Sequence, residues 1–223
     1  MLAMPAPKIM SLSEKRLGPF VAGLLEMAHR MPLSRLIIGV AGIPGAGKST
    51  FAKRLLDAIE IESPGIARLV PMDGFHYSDQ WLDEKNLREL KGSPQTFDST
   101  AYVELMRAAT LRAQALRFPV YDRTIHEAVP DADAIDRDVR IVITEGNYLL
   151  LEQSPWSQLR DLINICWFLD TPTEVAKQRL IDRHIAGGRT RADAMSYYEQ
   201  TDLPNTQQVT DSMNRADFVL RWE

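Results

Sequence analysis

The stretch GIPGAGKST, residues 42–50, sets three glycines, a lysine and two hydroxyls in the spacing G-x-x-x-x-G-K-[ST]. Glycines so placed let a backbone wrap its N–H groups around a phosphate, and a helix starting at the end of the loop adds the positive end of its dipole. The lysine supplies charge to the β- and γ-phosphates of a nucleoside triphosphate, and the next hydroxyl a ligand for Mg²⁺. The cradle predicted here comprises Gly42, Pro44, Gly45, Ala46, Gly47, Lys48, Ser49 and Thr50. Lys48 is its charge-stabilising group and Ser49 its metal ligand.

A triphosphate cradle leaves open what becomes of the γ-phosphate. A GTPase switch needs an [NT]-K-x-D segment to read guanine and a D-x-x-G switch, and neither occurs in a usable place. ABC-type and ring ATPases need a signature loop or an arginine finger on a longer chain. A small-molecule kinase needs a group that orients or deprotonates the attacking hydroxyl. Asp73 fits that need, because it ends the apolar run IARLVPM (66–72), where α/β sheets place ligands, and is trailed by Gly74, Phe75 and His76. Asp73, Phe75 and His76 are therefore candidate acceptor contacts. A turn or capping role for Asp73 and a satisfied turn histidine at position 76 are the bland alternatives.

RLIDRHIAGGRT (179–190) places Arg179 and Arg183 four residues apart on one helix face, breaks at Gly187 and Gly188, and adds Arg189. Arginines suit charge spreading over a transferring phosphoryl group and the glycines suit a hinge, so 179–200 is a candidate lid with Arg183 and Arg189 as its reactive groups. The alternative is a solvated basic helix face.

Taken in order, GIPGAGKST, MDGFH, GSPQTFD, PVYDRTIHE and ITEGNYLLL resemble the P-loop kinase family of uridine kinase, phosphoribulokinase and bacterial pantothenate kinase. The resemblance runs from about residue 35 onward and is nearest to bacterial members described as fructose transport system kinases. It implies that Asp73 is the catalytic base and that Glu145, which ends VRIVITE, works near Mg²⁺ or its waters. Glu145 stands where an aspartate is commoner, so direct coordination and coordination through water both stay open. The resemblance further implies that Tyr121, Arg123 and His126 hold the acceptor and that Asn205 lies where adenine packs. ATP and Mg²⁺ are the implied cofactors. The implied acceptor is a sugar of fructose type, with a uridine- or cytidine-type nucleoside as the alternative and a regulatory NTP-binding module as a third reading.

Elements to position these groups are visible in the patterning. RLIIGVA (35–41), IARLVPM, VRIVITE, INICWFL (163–169) and ADFVLRW (216–222) are continuous apolar runs, as for strands buried on both faces. Helical stretches at 48–60, 99–116, 155–161 and 172–186 alternate with them. The expectation is an α/β fold, a three-layer αβα P-loop NTPase with a five-stranded parallel sheet in the order 2-3-1-4-5. Residues 1–223 form one domain in this reading, with a helical extension over 1–32, introduced by a capping box at Ser11 and Glu14, and an acceptor-binding insertion over 74–138. The polar stretch 118–132 reads as a ligand-binding loop and DADAID as a solvated turn.

The 223 residues, 45% hydrophobic, are enough for such a core. A net charge of -4 without single-sign blocks argues against nucleic acid or an anionic membrane as partner. The single Cys166 cannot form an internal disulfide and reads as a small buried hydrophobe. With no secretory signal pattern and no membrane-length apolar run, a cytoplasmic protein acting on a small molecule is expected. No heptad declares an oligomeric state.

Overall fold

The computed structural model describes residues 6–13 and 17–222. In chain order the elements are β1 (Lys8–Leu12), α1 (Leu17–His29), β2 (Leu36–Ala41), α2 (Lys48–Glu62), β3 (Ala67–Pro71), α3 (Asp79–Glu84), α4 (Ser99–Ala109), β4 (Leu116–Asp122), β5 (Glu127–Ile135) and β6 (Ile141–Glu145). They continue with α5 (Leu159–Leu162), β7 (Ile165–Leu169), α6 (Thr173–Ala186), α7 (Arg191–Tyr197), α8 (Leu203–Asp211) and β8 (Phe218–Trp222). Six strands form a parallel sheet in the order β1-β8-β7-β2-β6-β3.

β2 and β6 are buried along their whole length, which is why their sequences are apolar without alternation. Paired residues of a parallel sheet share a face, so Val40, Trp167 and Glu145 look to one side and Thr144 to the other. α1 and α2 cover the first side, with Phe20 and Phe51 both against the Trp167 ring. α4 covers the second, where the Tyr102 hydroxyl meets Thr144 Oγ1 at 2.5 Å. Thr144 in turn donates to the Val70 carbonyl at 2.7 Å, fastening α4, β6 and β3 beside the strand ends.

The five expected strands keep the expected order, and β1 is a sixth that the sequence reading missed. It pairs with β8, Lys8 opposite Phe218 and Leu12 opposite Trp222, so the N-terminal extension is not purely helical. Ser11 lies inside β1 and caps no helix; its proposed partner Glu14 lies outside the described residues. α1 begins at Leu17 and accepts Pro19 in its first turn, where no N–H partner is lost. The helix expected over 99–116 stops at Ala109. The polar stretch read as a loop is the antiparallel hairpin β4–β5, with its register shifting at Pro119, between Phe118 and Val120. DADAID begins as the end of β5 rather than as a turn, and because residues 129–132 are all exposed no apolar alternation marks the strand.

Arg35 ties the middle and the end of the insertion to the sheet. Its buried guanidinium donates to the carbonyls of Val139 and Asp136 at 3.1 Å each, Gln114 at 3.3 Å, Ala109 at 3.4 Å, and Leu111. Five carbonyls therefore satisfy this guanidinium, and an unmet donor at that depth would cost about 1–3 kcal/mol.

Candidate active site

The β2–α2 loop turns in the manner phosphate binding requires. Gly45 and Gly47 have φ of 77° and 94°, left-handed values that a side chain would strain. A Cβ on Gly45 would also lie 2.5 Å from the Ala176 carbonyl, so α6 closes the back of the loop. Thr171 Oγ1 donates to the Ala46 carbonyl at 2.9 Å, and Arg179 reaches the Gly45 and Ala46 carbonyls at 3.4 Å each.

Strand register brings the acids to this loop. Val40, Glu145 and Pro71 stand in one row across β2, β6 and β3. Residues just beyond that row face the loop from the carboxyl edge of the sheet, and Asp73 is one of them. Ser49 Oγ donates to Glu145 Oε1 at 2.8 Å, and Lys48 Nζ donates to the Ile43 carbonyl at 3.0 Å and to Asn147 Oδ1 at 2.6 Å. Burial pushes the Lys48 ammonium below its usual range, and Glu145 and Asp73 oppose that shift. Burial likewise pushes the Glu145 carboxyl up, helped by the facing Asp73 charge. Each side chain is thus poised for an ionic ligand to complete its surroundings.

One cleft of about 850 Å³ joins the loop to the insertion and to the segment after α6. Pro44, Gly45, Gly47, Lys48, Ser49, Thr50, Asp73, His76, Tyr121, Arg123, His126, Glu145, Arg183, Arg189 and Asn205 all line it. Three predicted residues do not. Gly42 and Ala46 shape the loop from behind it, and Phe75 is buried with its ring 5.0 Å from that of Tyr102. The apolar body of Phe75 fills the core, while its neighbours turn toward the cleft.

On the acceptor side, Arg123 Nη2 lies 3.4 Å from Asp73 Oδ2. The His76 ring packs 3.9 Å from Phe97 and 5.1 Å from Tyr121, and its Nδ1 bonds the Asp73 carbonyl at 2.8 Å. Burial holds this imidazole below its usual pKa, so it is neutral near neutral pH. In the candidate lid, Arg189 stacks 3.9 Å over the Tyr197 ring and donates to His184 Nδ1 at 2.8 Å. His184 Nε2 therefore carries its proton toward Asp202, 2.7 Å away.

Several lining residues were not singled out from sequence. Asn147 sits two places beyond Glu145, and Asp79, Arg88 and Lys91 lie on or after α3. The offset of Asn147 from the acid was the one local signal; the others are brought in by the fold of the insertion.

Ser49 and Glu145 fit a divalent cation by their donor chemistry. Two hard oxygens 2.8 Å apart approximate neighbouring corners of an octahedron with bonds of about 2.0–2.1 Å. No cluster of three His, Cys, Asp or Glu side chains suited to a metal occurs among the described residues, so phosphate and water oxygens would complete the shell. No helix among the described residues is long and apolar enough to cross a membrane.

A glycine-turned phosphate loop after the central strand, facing an acid on a neighbouring strand across one cleft, defines a P-loop nucleotide-binding protein. The Phosphoribulokinase / Uridine kinase family matches residues 37–222, and the chain belongs to that family. It is 37% identical over 204 residues to "Uncharacterized protein YggC" of Escherichia coli K12, covering 91% of this chain and 84% of that one. It is 36% identical over 195 residues to "Putative uridine kinase C227.14" of Schizosaccharomyces pombe, covering 84% and 83%. Among solved structures, the "putative fructose transport system kinase" of Silicibacter sp. TM1040 superposes with a TM-score of 0.82 at 30% identity, over 93% of this chain and 98% of that one. The chain is accordingly a kinase whose family uses ATP, typically with Mg²⁺.

Proposed function

We propose that the chain transfers the γ-phosphate of ATP to a hydroxyl of a neutral, polyhydroxylated small molecule, a sugar of fructose type. The observation that carries this reading is that Asp73 lines the same cleft as Lys48 and the phosphate loop. Asp73 takes the acceptor proton as the hydroxyl oxygen forms its bond to the γ-phosphorus and the bond to the bridging oxygen breaks, releasing ADP. Lys48 and the lid arginines Arg183 and Arg189 bind the charge that moves onto phosphate oxygens. Ser49 and Glu145 would hold Mg²⁺, which when bound would supply neutralising charge to the phosphates. Asn205 is the proposed contact for the adenine.

Charge balance supports a neutral acceptor. The acceptor side carries Arg88, Lys91 and Arg123, and each is paired to an acid, the first two to Asp79 and the third to Asp73. An anionic acceptor would have to displace one of these pairs. The aromatic faces nearby are also engaged, His76 by Phe97 and Tyr121, and Tyr121 by Lys91 at 5.6 Å, which favours a sugar over a stacked base. The fission-yeast relative supports a nucleoside as the second reading.

ADP formation measured against sugars, nucleosides and vitamins tests the proposal. Stimulation by a ketohexose is expected, and Asp73→Asn should lose it while still binding ATP. Turnover retained by Asp73→Asn would remove Asp73 from the role of base. Hydrolysis that no acceptor stimulates would replace the kinase reading with that of a regulatory nucleotide-binding module.

A further inference from the structure

The acceptor side of the cleft holds a carboxylate that the transfer above does not use. Asp79 lines the cleft with Arg88 and Lys91. Its Oδ2 is held by Arg88 Nη2 at 2.7 Å and its Oδ1 by Lys91 Nζ, so both oxygens are fixed in place. A carboxylate offers about four acceptor sites, and two cations leave each oxygen with one more. The Asp79 side chain is 25% exposed, enough for a small ligand to reach it.

The clamp is built by converging segments. Lys91 Nζ also donates to the His126 carbonyl at 2.8 Å, in the turn between β4 and β5. That same carbonyl accepts the Tyr121 hydroxyl at 2.9 Å. The Asp79 backbone N–H donates to Glu127 Oε1 at 2.8 Å, and the Lys91 carbonyl accepts from the Tyr197 hydroxyl at 3.0 Å. α3, the hairpin and α7 therefore meet at this carboxylate. The contacts run from Asp73 through His76 and Tyr121 to Lys91, which places Asp79 on the same wall but apart from the proposed base.

We propose that Asp79, clamped by Arg88 and Lys91, is the subsite that reads a pair of neighbouring hydroxyls on the acceptor, separate from the hydroxyl that Asp73 activates. The inference rests on the phosphotransferase reading above. A planar, bidentate acceptor matches two adjacent O–H donors, and the cations hold it in orientation. An anionic ligand is disfavoured there because Asp79, together with Asp83, which lies 3.3 Å from Arg88 Nη1, offsets the two cations. A polar site built for a hydroxyl rejects the analogue that leaves its acceptors unpaired, so this subsite would set specificity.

The test measures ADP formation by the full chain and by Asp79→Asn and Lys91→Met, with ATP and hexoses, their singly deoxygenated analogues, ribonucleosides and deoxyribonucleosides. Circular-dichroism melting checks that each variant folds, and the Lys91 variant reports on the clamp should the Asp79 variant fail to fold. Asp79→Asn is expected to raise the acceptor KM about 10- to 100-fold, as for a lost hydrogen bond to a charged group, with kcat changed less than about threefold. It should also shrink the gap between the best acceptor and the analogue lacking one of its distal hydroxyls. Lys91→Met should do the same more weakly.

If a sugar is phosphorylated but neither variant moves its KM or that gap, the subsite is overturned and the sugar reading stands. If a ribonucleoside is preferred and Asp79→Asn erases its advantage over the deoxyribonucleoside, the sugar reading fails and the subsite stands. If no diol-bearing acceptor stimulates ADP formation, both are overturned.

Discussion

Gly74→Ala isolates the contact on which the acceptor wall depends. A Cβ at Gly74 would lie 2.1 Å from the Pro119 carbonyl oxygen and 2.8 Å from its carbon, both backbone atoms of the hairpin. No left-handed φ is required at Gly74, so the effect comes from close approach alone. Restoring ordinary contact takes about 1 Å of movement between the Met72–Phe75 turn and β4. Overpacking of this kind costs about 1–3 kcal/mol. The entropic gain of alanine over glycine returns about 0.4–1 kcal/mol, leaving a net loss of about 1–2 kcal/mol, or about 2–8 °C for a chain of this size.

Function should suffer more than stability. The movement separates Asp73 from Tyr121 and Arg123, and a 1 Å misplacement can cost about 100-fold in rate. The phosphate loop is untouched, so ATP affinity by calorimetry should stay within about twofold of the parent while acceptor-dependent kcat/KM falls about 100-fold. A Gly74→Ala protein that melts within 1 °C of the parent and keeps full acceptor turnover would refute the claim that the hairpin must touch this glycine.

Lys48→Met should lower kcat about 100- to 1000-fold, the loss typical of one preorganised charge donor, with little change in acceptor KM; steady-state ADP release reads it. Glu145→Gln tests the raised carboxyl. Because the folded protein keeps this proton at pH values where the unfolded chain has lost it, the stability Glu145 contributes is greatest below about pH 4.3 and declines as pH rises toward the folded value. The variant should therefore melt higher than the parent near pH 7 and converge with it near pH 4. It should also lose the added stabilisation that Mg²⁺ gives to bound ATP, as followed by thermal melts.

The central sheet was legible because β2, β6 and β7 are buried on both faces and so are written in unbroken apolar runs. β1 was not, because an edge strand with one neighbour need not be apolar, and KIMSL exposes most of its residues. The hairpin was masked by Pro119 and Pro130 and by the exposure of residues 129–132, which leaves β5 without an apolar alternation. At the site, the phosphate loop was legible because one contiguous segment builds it. Phe75 misled, since an aromatic in a chemically rich stretch looks like a ligand contact until the core that needs it is visible. Asp79, Arg88 and Lys91 gave no local pattern, because their meeting place is made by segments far apart in sequence.

The pairing of β1 with β8 bears on the order in which the molecule can be assembled. Among the described residues β1 has one sheet partner, and that partner lies at the opposite end of the described chain. The earliest strand must wait, unpaired, until the latest is in place, while β2, β3 and β6 find their neighbours over shorter stretches. Closing so long a loop is entropically slow, which delays this edge, and β1, mostly exposed and held by one strand among the described residues, has little to keep it closed. Amide exchange should accordingly be fastest in β1 and β8 and slowest in β2 and β6, and a chain cut before Phe218 would leave β1 with no place in the sheet.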